Sequence, residues 1–406
     1  MTETQPDDGL RYPLSAPGAM TPPVEWPRLR QKCPVAHVTL PSGDRAALLT
    51  RYEDVKLALC DPRLSREGLA RPDAARITAG EAGSVFDSPM ARALNAEGQE
   101  RWRRMVGKWF TAKRMQALVP RIEAMTDRLV DGMLEHGRPA DLVRHLAFPL
   151  PVYVICDMLG VPESDRDDFK NWSDTFLNLS KYTAAEMGAA HRAFAEYMAA
   201  LVTEKRREPQ DDLISQLITA TDAEGRPMSE PALAATGQAL LLAGHETTAG
   251  FITTMAGVLL ADRSRWERLL DDRSLIRSAV EEVLRFEPYT GFGMLRYVHE
   301  DTEVPSGVVL AQGTTVVCSM AAANRDTGAF AGAEDMDLGR TPNPHLAFGA
   351  GPHSCLGQPL ARTEMQTVLG VLLRRLPTLE LAVDPDELHR VEGLITTPLS
   401  ELPVRW

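Results

Sequence analysis

The chain reads Phe348-Gly349-Ala350-Gly351-Pro352-His353-Ser354-Cys355-Leu356-Gly357, followed by Gln358-Pro359-Leu360-Ala361-Arg362. A single Cys stands near the end of a loop with three glycines in ten residues. An apolar run follows, from Leu360 through Val368, Leu369, Val371, Leu372 and Leu373, with the length and spacing of a buried helix. Cys355 therefore lies where a loop turns into a helix. There the first backbone N–H groups lack intrahelical partners and the macrodipole presents its positive end. Both favour thiolate over thiol. Gly349 and Gly351 permit unusual backbone angles and let a large flat group approach the main chain, and Gly357 removes a side chain just past the Cys. A thiolate on a tight loop suits a planar metal cofactor, since thiolate is the axial ligand that activates oxygen at haem. Other readings stay open on these residues alone. A lone intracellular Cys is often an inert small hydrophobe. Cys355 and His353 form a poorly placed nucleophile pair. A Gly-rich loop can hold phosphate, but the Lys and Ser/Thr of a P-loop are missing.

The pattern Phe-Gly-x-Gly-x-His-x-Cys-x-Gly followed by Leu-Ala-Arg resembles the haem-binding loop of the cytochrome P-450 family of haem-thiolate monooxygenases. The resemblance implies a mainly α fold with a small β-rich part and a long central helix over the haem. It also implies one domain across residues 1–406, in preference to the two or three that length alone suggests. Residues 1–30, with Pro at 6, 13, 17, 22, 23 and 27, read as an irregular arm.

Composition sets bounds. With 44 % apolar residues the chain can build a large core. A net charge of -12 argues against nucleic-acid binding. The five cysteines (33, 60, 156, 318 and 355) are scattered and lack metal-type spacing, as in reduced cytosolic proteins. The polar, Pro-rich beginning is neither signal peptide nor anchor, and no run of ~18 apolar residues occurs. A soluble, cytoplasmic protein without membrane association is expected.

In chain order, short β-like runs appear around 35–52, and Tyr52 opens a helix that ends near Asp61-Pro62. Residues 66–94 read as a loop region. In Gln99–Thr111, Trp102, Met105, Val106 and Trp109 recur at helical spacing. Residues 101–114 hold Arg101, Arg103, Arg104, Lys108, Lys113 and Arg114 and no acid. Such a run is commonly a solvated face. The resemblance assigns Arg103 to a haem propionate, and puts Gln99 where the family often has His. It leaves Arg101, Arg104, Lys108, Lys113 and Arg114 to dock an acidic electron carrier. Helices are expected over 115–136, 141–159, 163–180 and 184–207, with Trp172 and Phe176 packed in the core rather than facing substrate.

From Ser229 to about Ala261 one long helical pattern carries Ala243-Gly244-His245-Glu246-Thr247-Thr248 between Leu-rich and Ile/Met-rich turns. Gly costs about 1 kcal/mol inside a helix, and polar groups in such a setting commonly have a task. Ala-Gly-x-Glu-Thr-Thr matches the family's oxygen-activation motif. The match makes Glu246 and Thr247 the catalytic acid–alcohol pair and lets Ala243 and Gly244 lie against the cofactor. His245, at a variable position of the motif, receives no ligand role.

Glu282 and Arg285, at i,i+3 on an expected helix 274–286, match the family's structural Glu-x-x-Arg pair, and Arg340 resembles its third member. Val308–Leu310 and Thr314–Val317 read as a hairpin around Gln312-Gly313.

The family likeness runs from about residue 45 to the C-terminus. It implies haem b ligated by Cys355, with Arg103, Arg296 and His353 on the propionates and Phe348, Gly349 and Gly357 beside the cofactor. Leu240, Thr290, Phe292, Leu394 and Ile395 would line an apolar substrate pocket. No Gly-x-Gly-x-x-Gly after a strand marks a flavin or nicotinamide site. Electrons would come from a ferredoxin-type carrier and its reductase, with O2 as co-substrate, to hydroxylate or epoxidise an apolar small molecule of bacterial specialised metabolism. The alternative outcome of the same chemistry is oxidative C–C or C–N coupling or cyclisation without oxygen insertion. A non-catalytic haem sensor is the remote alternative.

Overall fold

Apolar residues at three- and four-residue steps become helices in the computed structural model, which describes residues 9–77, 90, 93–94, 97–177, 182–286, 292–391 and 397–406. The helices are α1 (Glu25–Lys32), α2 (Tyr52–Cys60), α3 (Gln99–Gly107), α4 (Ala112–His136), α5 (Pro149–Leu159), α6 (Arg166–Leu177), α7 (Ala184–Arg207), α8 (Leu213–Thr219), α9 (Glu230–Ala261), α10 (Arg263–Asp271), α11 (Ile276–Phe286), α12 (Met320–Ala323) and α13 (Gln358–Arg375). The strands are short: β1 (Val35–Thr39), β2 (Arg45–Leu49), β3 (Leu64–Ser65), β4 (Ala140–Asp141), β5 (Met294–Val298), β6 (Thr302–Glu303), β7 (Val309–Leu310), β8 (Thr315–Cys318), β9 (Glu380–Leu381) and β10 (Pro403–Arg405). The expected balance, mainly α with a small β part, is the observed one. The chain divides into a unit of Met1–Gly80, Thr254–Cys355 and Val383–Ser400, and a unit of Glu81–Thr253, Leu356–Ala382 and Glu401–Trp406.

The first unit holds a sheet of order β1-β2-β8-β5-β3. All four residues of central β8 are buried, as a strand flanked on both sides requires. It runs parallel to β2 and antiparallel to β5, with Arg296 opposite Val316. This corrects the expected 308–317 hairpin. The Val304 N–H donates to the Val308 carbonyl across Gly307, at positive φ, and closes a tighter hairpin of β6 with β7, while β8 joins the larger sheet. The expected irregular arm is corrected too. Helix α1 lies inside it, because Pro27 falls in the first turn, where its missing N–H costs nothing.

The second unit is helical around α4 and α13. Arg374 pairs with Glu123 and Asp127, and Arg375 with Asp127 and Asp131, across these two helices. The expected helix 141–159 is interrupted. Strand β4 and one π-type turn at Val143–Ala147 precede α5, which Pro149 begins. Helices α6 and α7 pack through Phe169, Trp172, Phe194 and Tyr197, with ring centroids 5.3–5.6 Å apart. Trp172 is half-buried in this ring cluster. Helix α9, 32 residues and ~48 Å long, is apolar along most of its length.

Candidate functional site

In the first unit, the glycine loop is folded by its own backbone. The Gly349 N–H donates to the Leu346 carbonyl at 2.8 Å, the Ser354 N–H to Gly351 at 3.1 Å, and the Cys355 N–H to Phe348 at 2.8 Å. A short 3-10 turn, Gly351–His353, fills the loop. Gly351 has φ +69°, and a Cβ there would come within 2.9 Å of the Leu59 carbonyl oxygen and the Cys60 Cα. No other residue fits without displacing α2. The loop thus presents Cys355 at an exposed position. Cys156 and Cys318 differ: both are buried, and burial pushes the Cys318 thiol up to about 12. Among the described residues no cluster of three His, Cys, Asp or Glu side chains is placed to hold a metal ion. One accessible thiol on a glycine-lined loop does not make a tetrahedral ion site, but it fits the single protein ligand that haem requires.

Arg296 lies on β5 in the same unit and is 2 % exposed. Its Nη1 donates to the Leu295 carbonyl at 2.8 Å, and burial pulls its pKa down. A neighbour went unnoticed in the sequence. Strand β3 pairs Leu64 with Val298 and Ser65 with Tyr297, and Arg66 follows directly after it. Burial, then repulsion from Arg296, lowers the Arg66 pKa. Two cations this close are unfavourable without an anion, and the Glu67 carboxylate acts favourably on both. Arg66 was visible as a cation, but its neighbour Arg296 is distant in the chain. His353, half-buried, follows Pro352 in the 3-10 turn.

Glu282 and Arg285 meet at their i,i+3 spacing, and Arg340 joins them. Arg285 holds Glu282 through two hydrogen bonds of 2.7 and 2.9 Å, and Arg340 Nε lies 3.1 Å from the same carboxylate. Phe292 is a correction. It is buried beside Tyr12, whose ring meets it edge-on at 5.0 Å and whose hydroxyl donates to its carbonyl at 2.8 Å. It packs in a core with Leu48 and Val317 instead of lining a pocket. Thr290, Leu394 and Ile395 lie outside the described residues.

In the second unit, α3 places Gln99 and Arg103 one turn apart on one face. Gln99 is exposed and Arg103 half-buried. The helix is fixed by the Trp102 indole, which donates to Thr236 on α9 at 2.9 Å. The cationic run is less open than its sequence implied. Arg101 is held by Glu97 and by Asp222, the latter at 2.6 Å, and donates to the carbonyls of Arg226 and Pro227. It is thereby removed from the expected docking set. Arg114 pairs with Asp211 at 2.7 Å and covers the Trp109 ring at 4.1 Å. Arg104, Lys108 and Lys113 are exposed.

The polar turn of α9 has two sides. Ala243 and Thr247 are exposed and Leu240 and Glu246 partly so, whereas Leu241, His245 and Thr248 are buried. Thr247 donates its hydroxyl to the Ala243 carbonyl at 2.7 Å. Gly244 is partly exposed, and a Cβ on it would meet Ile155 Cδ1 of α5 at 2.8 Å, so its missing side chain admits a neighbouring helix. His245 reaches Ser173 on α6, with Nδ1 2.5 Å from Oγ, and the Phe148 carbonyl, with Nε2 at 2.9 Å. Burial lowers its pKa to about 4, so the ring is neutral.

No described helix is long and apolar enough to cross a membrane. The sequence profile of the cytochrome P450 family matches residues 253–400. The chain is 40 % identical to nocardicin C N-oxygenase of Nocardia uniformis subsp. tsuyamanensis, over 100 % of both chains. It is also 40 % identical to mycinamicin IV hydroxylase/epoxidase of Micromonospora griseorubida, again over 100 % of both. The solved structure of the mixed-function P450 MycG superposes with a TM-score of 0.90 at 39 % identity, covering 99 % of this chain and 100 % of that one.

Proposed function

The chain belongs to the cytochrome P450 family, and on that premise we propose that it is a cytoplasmic haem-thiolate monooxygenase of bacterial specialised metabolism. It takes two electrons from a ferredoxin-type carrier and its reductase, and it hydroxylates or epoxidises an apolar small molecule. The observation that carries this reading is the exposed Cys355 on its backbone-locked glycine loop. Haem b held there supplies the activation of O2 that a thiolate ligand favours.

Each residue then has a task. Cys355 ligates the iron. Arg103, Arg296 and His353 hold the propionates, the arginines by charge-assisted hydrogen bonds. Phe348, Gly349, Gly357 and Ala243 leave room for a flat ring, and Gln99 donates a neutral hydrogen bond at its edge. Glu246 and Thr247 deliver protons: a carboxyl that can gain and lose one, next to a hydroxyl on the open side of α9. Arg104, Lys108 and Lys113 supply exposed positive charge for an acidic carrier. Relatives at the same 40 % identity are named for N-oxygenation and for hydroxylation with epoxidation, which leaves the atom attacked to the substrate.

The absorption spectrum of the reduced, CO-treated protein tests the reading. A strongly red-shifted Soret band that Cys355→Ser abolishes is expected. A band at the histidine-haem position in the unaltered protein would overturn it.

A further inference from the structure

His245 stands next to the proton-delivering pair, yet its side chain points away from it into the protein. The hydrogen-bond partners fix its state. The Phe148 carbonyl only accepts, so Nε2 carries the hydrogen. Nδ1 of the neutral ring is then an acceptor, and the Ser173 hydroxyl donates to it. Both His245 and Ser173 are fully buried. The edge of the Phe148 ring closes the imidazole in at 4.2 Å. One residue earlier, Gly244 admits Ile155 of α5. Helix α6, which supplies Ser173, is itself tied to α7 by its aromatic rings and by Tyr197, whose hydroxyl donates to Asp165 at 2.7 Å.

An apolar side chain would fill this space without needing partners. Burying an imidazole and a hydroxyl is costly unless both are bonded, and here each has the partner its chemistry requires. The two bonds fix both the rotation of this turn about the helix axis and its position along α6.

We propose that His245 is a positioning residue: its paired hydrogen bonds to Ser173 and to the Phe148 carbonyl hold Glu246 and Thr247 at a set orientation, referenced to helix α6. The proposal rests on the reading of Glu246 and Thr247 given above. A displacement of α6 is then passed to the proton-delivering turn through one side chain.

The test uses the haem-loaded protein without substrate, supplied with NADPH, a surrogate ferredoxin and its reductase. O2 is reduced by two electrons and two protons to H2O2, or by four of each to water. The water-to-peroxide ratio reports proton delivery. Ser173→Ala, which removes one bond, is expected to lower that ratio about fivefold, a factor typical of one lost hydrogen bond. It should also speed amide exchange at residues 243–247. His245→Leu should lower the ratio further. His245→Gln, which keeps a donor and an acceptor, should recover most of it. The CO band of Ser173→Ala should stay at the unaltered position, with a small fall in melting temperature for the lost buried bond. If Ser173→Ala and His245→Leu retain the original ratio and exchange rates while Thr247→Val changes the ratio, the positioning role is wrong and the function stands. If Thr247→Val leaves the ratio unchanged, the proton-delivery reading fails and this inference falls with it.

Discussion

Arg285 grips Glu282 from three residues away on the same helix, and neither side chain reaches solvent. The guanidinium also donates to the carbonyls of Asn324, Ala333 and Asp335, and the carboxylate also accepts from Asn343 and from the Asp337 backbone. Removing one partner leaves a buried charge unmatched, which costs about 3–5 kcal/mol. Arg285→Lys keeps the charge but cannot reproduce the fork. It should destabilise the protein by about 2 kcal/mol or more in urea titration, through the buried hydrogen bonds it cannot remake. A loss below ~1 kcal/mol would mean an ordinary surface pair.

His245 predicts a pH dependence with a definite sign. Its folded pKa is about 4 against an ordinary 6.5. Between those values the unfolded chain binds the extra proton, so stability is fully present above about pH 6.5 and is lost as pH falls. Going from pH 7.5 to pH 5.5 should cost about 1.4 kcal/mol through this residue. His245→Gln should remove that share of the slope in denaturation curves.

Glu364 predicts the opposite slope. It is fully buried on α13, its Oε2 has no hydrogen-bond partner among the described residues, and burial raises its pKa from 4.5 to about 8. The unfolded chain gives up this proton first, so stability falls as pH rises from about 4.5 towards 8. Glu364→Gln should therefore be more stable than the unaltered protein at pH 7.5, by up to about 4 kcal/mol, with a smaller gain at pH 5.5. Equal stability at both pH values would show the carboxyl to be hydrated.

The exposed cations differ from the buried one. Arg104→Glu, Lys108→Glu and Lys113→Glu should each slow reduction by a ferredoxin-type carrier several-fold at low salt. The effect should shrink as ionic strength approaches ~0.5 M. Arg101→Glu should instead lower the melting temperature, because it places a third carboxylate beside Glu97 and Asp222. Stopped-flow reduction and thermal unfolding separate the two effects.

The glycine loop, the long helix and the Glu-x-x-Arg spacing were legible because each is local, its meaning written within a dozen residues. What escaped depends on distant partners. Arg101 read as docking charge because Asp222, which holds it, is 121 residues away. Phe292 read as pocket lining because Tyr12, its packing partner, is 280 residues away. The Gln312-Gly313 turn signal was real, but the strands beside it found better partners in β5 and β6. Arg66 meets Arg296 only through the fold.

The division of α9 into a held side and an open side has a practical reading for directed evolution. Leu241, His245 and Thr248 are buried, Gly244 abuts Ile155, and His245 is hydrogen-bonded to Ser173. Leu240 and Ala243, each one residue before a member of that set, keep some freedom. A saturation library confined to Leu240 and Ala243 should return mostly folded variants with altered selectivity. The same library moved by one position should return mostly insoluble protein.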